Sequence, residues 1–164
     1  MCPISPPTPS FYDGKKYDMA ASVGHCLMHV MLLMRREVEA RMAQHGLTDA
    51  QWKPLWMLKT GRAATAIELA REMMTDAGAI TRMLDRLEAK GLLERVRSET
   101  DRRVVDLRLT AAGEAAVENV PHVLASVNND FLRGFNKQEF QQLRGFIERM
   151  TANGQALQEA QATA

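Results

Sequence analysis

The segment from Leu92 to Gly113 constrains the fold more than any other part of the chain. Its sequence, LLERVRSETDRRVVDLRLTAAG, predicts two short strands, Leu92–Arg97 and Val104–Leu109, because both runs are rich in leucine and β-branched residues. A polar tip, Ser98–Arg103, joins them. Thr110 then follows at a position where a threonine side chain can cap a helix. The segment therefore predicts a β-hairpin with an arginine-rich tip that runs directly into a helix.

An amphipathic helix is predicted immediately before the hairpin, over Asp76–Lys90, and Gly91 ends it. Its apolar seam recurs at steps of three and four residues, and polar residues occupy the opposite face. A helix, a basic hairpin and a further helix, in that order, are typical of a winged helix-turn-helix. Such a unit places one helix in the major groove and its wing against the phosphates or the minor groove. The pattern therefore predicts double-stranded DNA as a partner. The seam is Ile80, Met83, Leu84 and Leu87, and the polar face is Thr81, Arg82, Asp85 and Arg86.

The predicted DNA contacts lie at the start of this helix, along its polar face and in the wing. Small residues at the start let the backbone approach the groove closely, and an arginine can bond bidentately to guanine. In the wing, Asp101 can hold one arginine by a charge-assisted bond while another enters the minor groove. Arg95 and Arg97 are candidate phosphate contacts. The alternative is a solvated helix face on which Arg82 and Arg86 pair with Asp85 and Glu88. The predicted contacts are Thr75, Ala77, Gly78, Thr81, Arg82, Arg86, Arg97, Asp101, Arg102 and Arg103.

Helical periodicity and capping boxes organise the region before the hairpin. A long helix is predicted from Asp18 to Gly46, and Thr48-Asp49-Ala50-Gln51 opens a second helix that contains Trp52 and Trp56. Thr65-Ala66-Ile67-Glu68 opens a short helix, Ala66–Met73, with Ile67, Leu69 and Ala70 predicted to face inward.

After the hairpin, one long helix is predicted from Thr110 to about Arg133, with Pro121 starting or kinking a segment within it. A last helix runs from Asn136 to about Leu157. The predicted fold class is therefore mainly α with a small β-hairpin wing: a winged helix-turn-helix with N- and C-terminal dimerisation helices. Its predicted parts are a flexible arm (1–17), a helical dimerisation region (18–46 and 111–164) and a DNA-binding lobe (47–110).

Composition limits the other possibilities. The formal net charge is only +1, so affinity for nucleic acid must come from a local basic surface. No apolar run is long enough for a membrane span, and the first residues, MCPISPPTPS, lack the basic-then-apolar pattern that is typical of a secretory signal, so neither is expected. Two cysteines, Cys2 and Cys26, are too few for a disulfide framework, which favours a cytoplasmic location.

The run from Ile80 to Gly113 resembles the MarR family of bacterial transcription regulators. The resemblance rests on Leu87-Glu88-Ala89-Lys90-Gly91 at the end of the recognition helix, on Asp101-Arg102-Arg103 in the wing, and on Leu107-Arg108-Leu109-Thr110-Ala111-Ala112-Gly113 after it. It implies an obligate homodimer with interlocking terminal helices, a pseudo-palindromic operator, and repression relieved by a small ligand. It also implies that Arg103 is the wing arginine and that Asp101 is its partner.

The resemblance further implies an aromatic or phenolic acid as effector, bound between the dimerisation helices and the DNA-binding lobe. Such a ligand needs apolar walls and a few polar or cationic groups. The alternative is that the two tryptophans are plain core and that His25 packs against them. The candidate lining residues are His25, Met28, His29, Trp52, Trp56, Met57 and Met74.

The sequence leaves other interpretations of function open. His25 and His29 share a helix face and could ligate a metal, although no third ligand is evident. Cys26 could be a redox sensor, although no neighbouring cation stabilises its thiolate. The sequence contains no phosphate loop, nucleophile elbow or HExxH motif, so neither an enzyme nor a bound cofactor is expected. A helical interaction module without DNA binding is the remaining alternative.

Overall fold

A computed structural model describes residues 8–97 and 104–162. The described helices and strands are α1 (Val23–Gln44), α2 (Asp49–Lys59), α3 (Ala66–Glu72), α4 (Ala77–Ala89), β1 (Leu93–Arg97), β2 (Val105–Leu109), α5 (Ala111–Ala116), α6 (Val120–Phe131) and α7 (Lys137–Ala162), and a short 3-10 helix, Gly14–Lys16, precedes them. The predicted fold class, mainly α with one antiparallel hairpin, is confirmed. Within the described residues, no helix combines the length and apolar character needed to cross a membrane.

The chain divides into two compact units, Met1–Val117 and Glu118–Ala164. In the first unit, leucine and isoleucine side chains from α2, α3, α4 and the hairpin form the core, and each of them is at most 6% exposed. Because every one of these elements contributes an apolar face, the core fixes α4 against the hairpin and leaves the opposite face of α4 in solvent. The core residues are Leu55, Leu69, Ile80, Leu84, Leu87, Leu93 and Leu107.

Both predicted capping boxes are present. The Gln51 side chain accepts a hydrogen bond of 3.0 Å from the backbone N–H of Thr48 at the start of α2. At the start of α3, the Glu68 carboxylate accepts from the N–H groups of Ala64 (2.7 Å) and Thr65 (3.1 Å), and the Thr65 hydroxyl accepts from the N–H of Glu68. These bonds satisfy donors that a helix leaves free in its first turn. They also hold the Ala64 amide against a carboxylate, which lowers the pKa of Glu68 below its ordinary value.

The hairpin is tied to the start of α3 by an unpredicted pairing. β1 and β2 pair in antiparallel register, with Arg95 opposite Leu107. The N–H of Leu107 also donates to the carbonyl of Ala64 at 2.8 Å, and Asp106 forms an antiparallel bridge with Thr65. The base of the wing is therefore held on both edges of β2, which makes it a rigid extension of the lobe.

Glycines permit the two sharp connections around the hairpin. Gly91 ends α4 with φ of +68°, a conformation that side chains with a Cβ rarely adopt. Gly113 lies where α5 crosses the start of β1, and a Cβ built there would stand 1.9 Å from the carbonyl oxygen of Leu92. The same oxygen accepts a hydrogen bond from the N–H of Thr110, and the Thr110 hydroxyl donates to the carbonyl of Gly91 at 2.5 Å. The Leu-Thr-x-x-Gly pattern is thus a backbone crossing that only glycine fits.

The first helix begins later than predicted. Asp18 was the predicted start, but its carboxylate accepts the N–H of Ala20 in a turn, and α1 starts at Val23. Ser22 is the N-cap because its hydroxyl accepts from the N–H of His25 at 3.2 Å. The hydroxyl of Tyr12 accepts from the N–H of Val23 at 3.0 Å, which satisfies another first-turn donor. The periodicity of the apolar residues predicted an earlier start for α1 because it does not show that backbone N–H groups before Val23 are bonded within this turn.

Two further predictions about helices were wrong. Ile67 was predicted to face inward, but it is 83% exposed, because α3 spans only two turns and its inward face is set by Leu69. The single helix predicted from Thr110 to Arg133 is two helices, α5 and α6, in the first and second units respectively. Pro121 lies in the first turn of α6, where its missing N–H costs nothing.

Candidate nucleic-acid interface

Helix α4 presents a polar face to solvent over its whole length. The carboxylate of Asp76 caps it by accepting from the N–H of Ala79 at 2.8 Å. Ile80, Leu84 and Leu87 are each 1% exposed and anchor it to the core. The residues predicted for the polar face, Thr81, Arg82, Asp85 and Arg86, are all exposed. The predicted division of this helix into an apolar and a polar face is therefore confirmed by the burial pattern.

The start of α4 is open and unobstructed. Ala77 and Gly78 are exposed, and Thr75 is half-buried with its hydroxyl donating to the carbonyl of Met73 at 3.0 Å. The hydroxyl of Thr81 donates back to the carbonyl of Ala77 at 2.9 Å. Both hydroxyls therefore have oriented lone pairs left to accept a bond from outside. The structure brings these four predicted contact residues together around the first turn of α4.

The predicted wing contacts are only partly within the described residues. Arg97 ends β1, is exposed, and pairs in register with Val105. The other three predicted contacts in the wing lie outside the described residues: Asp101, Arg102 and Arg103.

Arg95 occupies a place that the sequence did not reveal. Its guanidinium donates to Asp85 at 2.7 Å and forms a second ion pair with Glu88, both on α4. The Glu88 carboxylate also accepts from the backbone N–H of Arg95 at 3.3 Å. The bond to Asp85, with the charge of Glu88, raises the pKa of Arg95 above its ordinary value. Arg95, which was considered as a phosphate contact, is therefore committed to α4.

This arrangement bears on the alternative in which Arg82 and Arg86 pair with Asp85 and Glu88. The two carboxylates considered as partners of Arg82 and Arg86 are instead bonded to Arg95. The partners of Arg95 are seven and ten residues away across the turn at Gly91, so no helical spacing signals the pairing. Arg95 meets Asp85 and Glu88 only because β1 lies beside α4 in the folded unit.

A cavity of about 490 Å³ lies between the start of α2 and one side of α4. Its apolar wall includes Ile80, Met83 and Leu87. Its polar rim carries three cationic side chains from α4 and its C-cap, together with hydroxyl and amide groups from Thr48, Gln51 and Thr75. The cations are Arg82, Arg86 and Lys90. The cavity therefore combines an apolar surface with positive charge and shares two arginines with the exposed face of α4.

The seven residues predicted to line an effector pocket lie elsewhere, and none of them lines this cavity. On α1, His25 is half-buried, whereas Met28 and His29 are exposed. Trp52 is 7% exposed, and its indole N–H donates to Asp49 at 3.0 Å, which fits the core alternative for this residue. Two others, Trp56 and Met57, are half-buried on α2.

Met74 stands apart from this set. It is 94% exposed in the turn between α3 and α4, with φ of +48°. Its side chain therefore faces solvent next to the start of α4.

The features considered for metal or redox sensing are present as isolated groups. The rings of His25 and His29 are 6.4 Å apart between centroids. Among the described residues, no group of three or more His, Cys, Asp or Glu side chains could hold a metal ion. Cys26 is an exposed free thiol whose sulfur lies 3.9 Å from the carbonyl oxygen of Ala20.

Together, the capped helix α4, the turn that precedes it and the hairpin that follows it define a winged helix-turn-helix protein. Residues 47–105 match the sequence profile of the MarR family. The crystal structure of the transcriptional regulator PA3341 is similar to this chain, with a TM-score of 0.74 and 29% identity over 82% of this chain and 99% of that one. The resemblance to the MarR family that the motifs predicted is therefore confirmed over residues 47–105, and proteins of that family are transcriptional regulators.

Two further solved structures are similar to this chain. A variant of MarR from E. coli, complexed with operator DNA, has a TM-score of 0.70 and 26% identity, over 82% of this chain and 99% of that one. The MarR family protein Rv2887 of Mycobacterium tuberculosis, in complex with salicylic acid, has a TM-score of 0.63 and 26% identity, over 79% of this chain and 96% of that one.

Proposed function

We propose that this chain is a homodimeric repressor that binds a pseudo-palindromic DNA operator and releases it when a small aromatic acid binds. The observation that carries the proposal is the exposed face of α4. Arg82 and Arg86 project from it, and within the described residues neither makes an ion pair with a carboxylate. The similarity to a MarR variant complexed with operator DNA supports the same assignment.

In this proposal α4 enters the major groove. The small side chains of Ala77 and Gly78 allow the backbone to approach the DNA closely, and the hydroxyls of Thr75 and Thr81, which donate to backbone carbonyls, accept from donors on base edges. Arg82 and Arg86 supply the charge, and a bidentate arginine–guanine contact is worth about 1–3 kcal/mol of discrimination. The helix is suited to this task because its buried side fixes its position.

The wing supplies the second set of contacts. Arg97 is exposed at the end of β1, and in this proposal it contacts a phosphate. Asp101 orients Arg103, which enters the minor groove, and Arg102 contacts the backbone. The double attachment of β2, to β1 and to the start of α3, supports this role because a rigid base positions the tip.

Dimerisation is supported by large apolar side chains left in solvent on helices of both units. On α1, several side chains at helical spacing are exposed, and α7 has no buried residue. Stripes of this length are costly to leave in water and mark interaction surfaces. The predicted dimerisation region, 18–46 and 111–164, contains both stripes. They are Val23, Leu27, Val30 and Met31 on α1, and Phe140, Phe146, Ile147 and Met150 on α7.

The proposed effector is an aromatic carboxylate. The cavity beside α4 supports it because the ring can lie on Met83 and Leu87 while the carboxylate meets Arg86 or Lys90. A ligand there competes with DNA for the arginines of α4, and it can release DNA only because it binds the DNA-free state more tightly. The structure of Rv2887 with salicylic acid supports the ligand class.

The set of residues on α1 and α2 that includes His25, Trp52 and Trp56 is the second candidate location for the effector. The two locations are separated by comparing Lys90→Ala with Trp56→Ala, since neither residue is a proposed DNA contact. If the cavity is the site, the first variant responds less to the acid and the second responds normally.

The experiment that tests the proposed function is titration of a labelled duplex from the region upstream of the protein's own gene. We expect tight binding whose logarithm falls linearly with the logarithm of salt concentration, and release by one member of a panel of aromatic acids. Release by Zn²⁺ or by peroxide would instead favour His25 and His29 or Cys26. Absence of binding at moderate salt would favour the interaction-module alternative. A regulator of this kind acts in the cytoplasm, where the DNA is.

Arg103→Ala tests the wing. We expect weaker operator binding with an unchanged fold, and a salt dependence reduced by about one unit if the lost contact is to a phosphate. Operator affinity equal to that of the unmodified protein would contradict the wing assignment. Arg144→Ala on α7 is the matched control, since it removes one exposed arginine that pairs with Glu148 on the same helix.

A further inference from the structure

The ion pairs of Arg95 involve both of the carboxylates on the exposed side of α4 nearest to Arg82 and Arg86. Asp85 is 58% exposed, Glu88 is 39% exposed and Arg95 is 30% exposed at their side chains. Ion pairs as open to water as these contribute little to folding stability. The ion pairs of Arg95 therefore add little to the free energy of unfolding. Their larger effect is on the charges beside them on α4.

Without Arg95, Asp85 has another partner within reach. It lies three residues after Arg82 on α4, and side chains at that spacing are neighbours on a helix surface. Glu88 has no basic residue three or four positions before it on α4 or after it within the helix. Its charge would then stand uncompensated beside the same face. Both carboxylates would repel phosphates, and one would also compete with DNA for the guanidinium of Arg82.

We propose that Arg95 is a positioning residue for DNA recognition: by bonding Asp85 and Glu88, it leaves Arg82 and Arg86 available to the DNA. Arg95 itself does not contact the DNA in this account. The inference rests on the proposed function, because it assigns a role within the same DNA-binding face. It explains why a helix that reads DNA can carry two acidic residues on its exposed side.

The test is a double-mutant cycle on operator affinity, measured by fluorescence anisotropy at fixed salt with the unmodified full-length protein as reference. One branch replaces Arg95 with Ala. The other replaces both carboxylates with their amides, Asp85→Asn and Glu88→Gln, which keep shape and remove charge. The third variant combines all of these changes. Circular dichroism and size-exclusion chromatography check that each variant is folded and dimeric.

We expect Arg95→Ala to weaken operator binding by about tenfold or more, since a bidentate arginine contact is worth that much. The amide variant should bind at least as tightly as the unmodified protein. The combined variant should bind within about threefold of the amide variant. Such non-additivity arises because the loss of Arg95 matters only while the two carboxylates are charged.

Three results would overturn the inference, and each has a distinct cause. If the amide variant binds as weakly as Arg95→Ala, the ion pairs are a mechanical brace between β1 and α4. If Arg95→Ala costs the same factor in both backgrounds, Arg95 contacts a phosphate directly. If Arg95→Ala binds like the unmodified protein, Arg95 has no role in recognition. If the unmodified protein itself binds no duplex, the proposed function fails, independently of this inference.

Discussion

Gly113→Ala tests the close contact between the backbone of α5 and the carbonyl group of Leu92. The added Cβ would stand 1.9 Å from the carbonyl oxygen of Leu92 and 2.9 Å from its carbonyl carbon. Because an ordinary carbon–oxygen contact is about 3.3 Å or longer, α5 and the start of β1 must separate by more than about 1 Å. Backbone atoms on both sides cannot rotate away as a side chain would.

The free energy of this change is the difference of two effects. Strain of this kind typically costs about 1–3 kcal/mol, and weakening the bond from the N–H of Thr110 to Leu92 adds about 1 kcal/mol. Replacing a helical glycine with alanine recovers about 0.5–1 kcal/mol. The strain and the weakened hydrogen bond therefore outweigh the gain in helix propensity, and Gly113→Ala should lower the free energy of unfolding by about 2 kcal/mol. For a chain of this size that corresponds to a fall in Tm of about 4–8 °C.

The assay is thermal unfolding followed by circular dichroism, at one fixed protein concentration because dimerisation raises Tm. Gly145→Ala is the matched control. Gly145 is also within a helix, α7, on the face opposite the apolar stripe, and nothing lies within 4 Å of its added Cβ. Helix propensity alone acts at that position, so the free energy of unfolding of this variant should rise by about 0.5–1 kcal/mol. A Gly113→Ala protein as stable as the unmodified one would refute the close-crossing explanation of the Leu-Thr-x-x-Gly pattern.

Two further predictions concern other elements. Phe146 is 55% exposed on α7, and we expect Phe146→Asp to yield a monomer by light scattering, whereas Gln141→Asp, which places the same charge on the opposite face of the helix, stays dimeric. A dimeric Phe146→Asp protein would mean that the interface lies elsewhere. The pKa of Glu68 is lowered chiefly by the N–H of Ala64, so its charged form stabilises the fold at neutral pH. This stabilisation should be complete above the ordinary glutamate pKa of about 4.3 and lost as pH falls through the lowered value. The difference in Tm between the unmodified protein and Glu68→Gln should therefore shrink on acidification, and a difference independent of pH would contradict the capping role.

Much of the DNA-binding lobe could be predicted because its elements are specified locally. Capping boxes at Thr48 and Thr65 and the seam of α4 depend on residues three or four positions apart, and the strands of the hairpin were predicted to within one residue. The pairing of Leu107 with Ala64 could not be predicted, since it joins residues distant in sequence through backbone atoms only. The prediction for Ile67 was wrong because α3 spans only two turns and Leu69 sets its inward face. The predicted start of α1 was wrong because periodicity does not show which backbone N–H groups are bonded within the preceding turn.

The candidate site also has a part that could be predicted from the sequence and a part that could not. The exposed face of α4 followed from helical spacing, whereas the bonding of Arg95 to Asp85 and Glu88 depends on how β1 lies beside α4. The cavity beside α4 was also missed, because its walls come from two helices separated by more than twenty residues. Sequence spacing therefore identified which charges are exposed but not which of them are already paired.

The central claim is that α4 reads the major groove as part of a dimer. The most direct measurement is a hydroxyl-radical footprint on the duplex from upstream of the gene, made with the unmodified protein and with Arg82→Ala. We predict two protected half-sites whose centres are about one helical turn, 10–10.5 base pairs, or a multiple of it apart, and loss of both in the variant at the same protein concentration. A single unpaired protected region, or equal protection by Arg82→Ala, would contradict the claim.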